Sequence, residues 1–143
     1  MDIAEFLAAR LDEEQRRAEA AAKESSPRFD VDGKQWRNSD GEGIYCQELP
    51  LAVGPYGVLG DAFVSHVLAY DPARVLAEVA AKRAIVDLWE PSLPDGAQDG
   101  RDWNEKEADD ARAYVLELAL RHLASLYADH ADFDPAWAID APH

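Results

Sequence analysis

The chain has 143 residues, 48% of them apolar, and 29 acidic against 14 basic side chains give it a formal charge of −15. That length suits one domain spanning residues 1–143; no apolar run approaches the ~18 residues a membrane span needs, and the single cysteine, Cys46, excludes an intrachain disulfide and a cysteine-rich zinc site. Nucleic-acid binding through phosphates needs a basic face, and no basic cluster here exceeds two residues, as at Lys82–Arg83, so direct nucleic-acid binding is not expected.

The first segment, "MDIAEFLAARLDEEQRRAEAAAKE", has no basic n-region and carries acids throughout, against a signal or transit peptide; the chain is read as cytoplasmic. Residues 2–23 are predicted as a helix. Ile3, Phe6, Leu7 and Leu11 keep the i, i+3, i+4 spacing of one buried face, and the stripe then thins to alanines. This helix is expected to pack by its first half and to project or pair by its second. Between 28 and 58, short β-like arms around Asp32-Gly33, at Ile44–Cys46 and at Leu51–Val53 predict a small antiparallel hairpin or sheet. Pro50 and Pro55 keep the strands short or at an edge. The glycines here form neither a GxxxxGK[ST] nor a GxGxxG loop.

Asp61 is expected to cap a short helix with Phe63, Val64, Val67 and Leu68 facing inward. Asp71-Pro72 then starts the second main helix, about 72–89, with Asp at N-cap and Pro at N1. Val75, Leu76, Val79, Val86 and Trp89 recur at helical spacing, Glu78 and Lys82 form an i, i+4 pair, and Pro91 ends the helix. The polar stretch "PSLPDGAQDGRDW" predicts a mobile loop at about 91–103. Asp102 or Asn104 can cap the third main helix, about 104–128, with Glu105 and Glu107 in its first turn. "ARAYVLELALRHLASLYA" is apolar on most sides and is expected to be the central core helix. In the tail, Phe133 and Trp137 are expected to fold back as anchors. The fold class is α+β, mostly helical, with three main helices and a small antiparallel sheet.

Three of these segments carry a resemblance. "DIAEFLAARLDEEQRRA", "HVLAYDPARVLAEVAAKRAIVDLWEP" and "LRHLASLYADHADFDPAW" occur in this order and cover about half the chain. Together they resemble a domain-of-unknown-function family common in actinobacteria and their phages, and the Asp71–Leu76 core, DPARVL, is the specific part. The resemblance brings no reaction. Many members carry a Cys-x-x-Cys and a further Cys between the two C-terminal helices, a zinc-like spacing with a nearby His. Here that stretch is "PSLPDGAQDGRDWNEKEADD", Tyr70 and Trp89 stand where relatives often have His, and only His66 matches. No metal or other cofactor is expected.

The remaining polar groups weigh as follows. His66, Asp71 and Arg74, with Trp89, form the best small-ligand constellation, at a helix N-terminus that favours anions. The bland alternative is that Asp71 is a cap and Arg74 a surface ion pair, and a capping carboxylate opposes an incoming anion. Asp129, His130 and Asp132 lie close in sequence, with nothing evident elsewhere to complete a site, and His122 reads as a helix-surface histidine. Cys46 has no base nearby, and no Ser/His/Asp set has a nucleophile elbow. Trp36 and Trp103 stand in polar surroundings, where an exposed tryptophan marks an interface.

No catalytic set is complete, so the first expectation is a non-enzymatic protein-interaction module whose partner is another protein or a second copy as a homodimer. A small-ligand protein or enzyme with a site near His66, Arg74 and Trp89 is the second. The third rests on charge: Val86–His143 holds 14 acids against 4 bases. An acidic surface including Asp102, Asp109 and Asp110, with Trp103 as an anchor, would act as a decoy for a partner that binds nucleic acid.

Overall fold

The computed structural model describes residues 1–25, 33–38, 43–46, 49–53, 60–89 and 103–139. Among them are four helices, α1 (Ile3–Ser25), α2 (Asp61–Leu68), α3 (Pro72–Val86) and α4 (Trp103–Ser125), a 3-10 turn at Pro135–Trp137, and two strands, β1 (Gly43–Cys46) and β2 (Leu49–Val53). The fold is α+β and mostly helical. The chain divides into two compact units, Met1–Leu11 with Ala81–His143, and Asp12–Ala80. The loop expected at 91–103 lies outside the described residues, apart from Trp103.

The first unit is organised by the start of α1. Asp2 and Glu5 form a reciprocal capping box: the Glu5 amide donates to Asp2 Oδ1 at 2.8 Å and the Asp2 amide to Glu5 Oε2 at 2.9 Å. The apolar stripe then buries Ile3, Phe6 and Leu7 in one cluster with Leu120 and Ala124 of α4. Val86, Trp89, Leu123, Tyr127, Phe133 and Trp137 pack around it. Phe6 is the hub, with ring centroids 5.0 Å from Trp137, 6.1 Å from Phe133 and 6.2 Å from Tyr127. Phe133 and Trp137 thus return the tail to α1, as expected. Asp134 Oδ1 accepts from the Ala136 amide at 2.9 Å and fixes the final turn.

Two expectations about this unit are corrected. α4 is not enclosed on most sides: Leu120 and Ala124 are its buried residues, while Tyr114, Val115 and Leu118 are exposed. The third main helix also stops at Ser125, and turns with i to i+3 bonds carry the chain through Leu126, Tyr127 and Ala128.

In the second unit, β1 and β2 pair antiparallel, with Gly43 opposite Val53 and Cys46 opposite Leu49. A register irregularity between Ile44 and Tyr45 brings Tyr45 opposite Pro50, which has no amide to donate to the ladder. Outside this pair, Arg37 and Tyr45 exchange backbone hydrogen bonds of 2.8 and 2.7 Å. The Asp32 side of the expected Asp32-Gly33 hairpin lies outside the described residues. Ile44 and Cys46 are buried, as alternate residues of one strand face must be.

The second half of α1 does not project. Ala18, Ala22 and Ser25 are buried there at helical spacing. A stripe that looks weak by apolar volume is thus still covered. α2 differs as well. Its N-cap is Gly60 with no side-chain cap bond, Asp61 is its first residue, and Phe63 is exposed. Val64, with Val67 and Leu68, forms the inward stripe, and Phe63 lies about 100° round the helix from Val64. In α3, Pro72 and Val79 are buried. The helix ends at Val86, three residues before Trp89, because the amides of Leu88 and Trp89 bond to the carbonyls of Ile85 and Val86.

Candidate interaction face

α4 carries two apolar faces. Successive residues turn by about 100°, so Leu120 points roughly opposite to Leu118. Leu120 and Ala124 take the covered face, with Leu123 packed on the same cluster. Ala111, Tyr114, Val115 and Leu118 fall within an arc of about 100° on the other side. Tyr114 is 68% exposed and Val115 63%, and Leu118 is exposed as well. Trp103 extends the row at the helix start with 73% exposure, and Leu126 extends it beyond the helix end. Exposed apolar side chains concentrated along one side of a helix are a feature that binding surfaces share.

The flanks are charged. Arg121 Nη2 lies 2.8 Å from Glu117 Oε1 in an i, i+4 ion pair at the border of the face. Glu105, Glu107, Asp109 and Asp110 are exposed around the first half of the helix, with Lys106 and Arg112 among them. At about 100° per residue those four acids spread around the helix and form no single row. Asp102 lies outside the described residues.

Of the expected small-ligand residues, His66, Asp71 and Arg74 belong to the second unit and Trp89 to the first. Asp71 is the cap of α3: its Oδ1 accepts from the Arg74 amide at 2.8 Å, and its Oδ2 from the Trp36 amide at 3.4 Å. The Ala73 amide also donates to the Lys34 carbonyl at 3.0 Å, so the start of α3 is tied to the 33–38 segment. Arg74 Nε donates to Glu78 Oε1 at 2.7 Å, and this hydrogen bond, reinforced by the Glu78 charge, raises the guanidinium above its ordinary value. An open recess of about 410 Å³ is lined by Leu68, Ala69, Tyr70, Arg74 and Glu78. His66 is exposed and lies beside Tyr70, with ring centroids 5.3 Å apart. Trp89 packs on the Phe6 cluster. An anion entering at α3 would meet Asp71's carboxylate. Trp36 is half-buried, and Trp103 is the exposed member of the expected pair.

One partnership is invisible in local sequence. Arg10, buried on α1, reaches His130 and Asp132 across 120 residues. Its Nη1 lies against both His130 ring nitrogens, 2.5 Å from Nδ1, and 3.7 Å from Asp132 Oδ2. The guanidinium also stands 5.3 Å from the Phe6 ring centroid. The Asp132 amide donates to His130 Nδ1 at 3.1 Å. A buried cation needs a counter-charge and hydrogen bonds, and this arrangement supplies them while fastening the tail to α1. The signal in the sequence was Arg10 on the same face as Phe6 and Leu7. Among the described residues no group of three or more His, Cys, Asp or Glu side chains is placed to hold a metal ion, and no helix is long and apolar enough to cross a membrane.

Residues 1–139 match a family described as of unknown function, DUF6221, and the chain belongs to that family. No curated protein and no solved structure matches it.

Proposed function

We propose that this member of the family is a non-enzymatic protein-interaction module that docks through the exposed face of α4. The observation that carries the reading is the placement of Tyr114, Val115 and Leu118, large and exposed, on the side of α4 turned away from Leu120 and Ala124. Leaving such side chains in water forgoes roughly 25 cal/mol for each Å² of apolar surface that a partner would cover. Tyrosine and tryptophan are the residues that most often dominate binding energy, and Tyr114 and Trp103 supply both. The net charge of −15 favours a protein over a nucleic acid as the occupant. A cytoplasmic setting belongs to the same proposal.

The test is affinity capture from a host lysate, with the wild-type chain and a Leu118→Asp variant as baits and nuclease present. Proteins that occupy the face are retained by the wild type and lost by the variant. If both baits retain the same proteins in the same amounts, α4 is not the docking face.

A further inference from the structure

We infer that the occupant of the α4 face is a second copy of this chain, paired antiparallel about a twofold axis at Tyr114–Val115; this rests on the docking reading above. The exposed apolar row is nearly symmetric about that point. Trp103 and Leu126 lie at its ends, Ala111 and Leu118 flank the centre, and Tyr114 and Val115 occupy it. A twofold interface requires one patch to be complementary to itself. Antiparallel pairing at this register meets that requirement. Each Leu118 fills the space over the partner's Ala111, large against small. The two Tyr114 side chains meet on one flank and the two Val115 side chains on the other. Trp103 reaches the partner's Leu126.

Charge selects the direction. Residues 103–113 hold four acids and two bases, whereas residues 114–126 hold Glu117 and Arg121. Parallel pairing would set Glu107 and Asp110, the acids bordering the face, against their own copies. Antiparallel pairing sets them against the near-neutral half and brings Arg121 to the partner's Glu107 and Asp110. The opposed helix dipoles act in the same sense. The area is adequate. Tyr114 and Trp103 each offer surface on the order of 150–250 Å², and Val115, Leu118 and Leu126 bring the face towards the ~800 Å² per partner of a standard interface.

Sedimentation equilibrium on the full chain, from about 1 to 200 μM, is expected to show a monomer–dimer equilibrium whose Kd spans that range of concentrations. Leu118→Asp should raise that Kd at least about tenfold and leave the helical circular dichroism of the monomer unchanged, since Leu118 is exposed. Cysteine pairing then reads the direction. Under mild oxidation, a mixture of Ala111→Cys and Leu118→Cys chains should give the mixed disulfide, and Val115→Cys the homodisulfide, while Ala111→Cys alone should give little. Cys46 is buried and adds no background. A chain that stays monomeric throughout overturns the inference, as does efficient pairing of Ala111→Cys with itself. If the chain is monomeric and Leu118-dependent capture of another protein persists, only the second copy is excluded. A monomer without that capture refutes the docking reading too.

Discussion

Replacing Phe6 by alanine tests the architecture of the first unit at its hub. The side chain is fully buried, and removing a buried phenylalanine costs ~3–5 kcal/mol through lost transfer energy and the cavity left behind. Three aromatic rings stand within contact of it, at 5.0, 6.1 and 6.2 Å between centroids. Such pairs add roughly 0.5–1.5 kcal/mol each beyond area, and these contributions overlap, which places the loss near the top of the range, about 4–5 kcal/mol. For a chain of this size 1 kcal/mol moves the melting temperature by about 3 °C, so Phe6→Ala should melt about 12–15 °C below the wild type. Phe6→Leu keeps apolar volume and loses the ring edges, with an expected drop of about 5 °C. The assay is thermal unfolding followed at 222 nm, with near-ultraviolet circular dichroism reporting Trp137. A drop under about 4 °C for Phe6→Ala would refute the claim that this cluster holds the tail to α1. A melting temperature for Phe6→Leu equal to that of the wild type would show that the ring edges contribute nothing.

Four further outcomes follow from the geometry. Asp71→Ala should lose about 1–2 kcal/mol and speed amide exchange at both Arg74 and Trp36, while Asp71→Asn, which keeps an acceptor, should lose less; unchanged exchange at Arg74 would contradict the cap. Arg10→Met should cost only about 1–2 kcal/mol, less than a fully buried ion pair, because His130 and Asp132 are partly exposed and rehydrate. Arg10→Ala should cost more, since it also strips the stem from Phe6; equal melting temperatures for the two variants would rule that packing out. The Glu78 hydrogen bond and charge hold the Arg74 guanidinium above its ordinary value, so the pairing with ionised Glu78 persists through neutral and mildly alkaline pH and is lost only at strongly alkaline pH. The melting difference between wild type and Arg74→Met should therefore be flat from about pH 6 to pH 9, and a difference that collapses by pH 9 would contradict this. Trp103→Phe should remove the most acrylamide-quenchable tryptophan fluorescence, and an unchanged quenching constant would place Trp103 under cover.

Much of the secondary structure was legible because its signals are local. Asp71 before Pro72 satisfies or removes the orphan amides of a helix start, and the chain needs nothing distant to do so. The inward stripe of α1 from Ile3 to Leu11 follows equally from a 3.6-residue period. The end of α3 was misplaced because the last turn can tighten by i to i+3 bonds without any residue announcing it. Phe63 was misjudged because apolar character shows that a side chain prefers burial, and only the neighbouring chain shows whether burial is on offer at that angle. The alanines at 18 and 22 erred in the opposite direction: their small volume looked like weak stickiness, yet both are buried.

The candidate site divides along the same line. By itself the sequence determined that α4 is a helix, that its later part, from Ala111 on, is apolar on most sides, and that its acids gather near its start. Whether both apolar sides would be enclosed depended on how much chain is available to cover them. That is a property of tertiary structure: Phe6, Phe133 and Trp137 converge on one side, and Tyr114, Val115 and Leu118 are left in water. Arg10 and His130 make the same point in polar terms, since 120 residues separate them and no period or motif spans that distance. Local free energies of capping and turning are written in neighbouring residues, whereas burial is a competition among distant segments for a limited covered surface, and folding alone decides it.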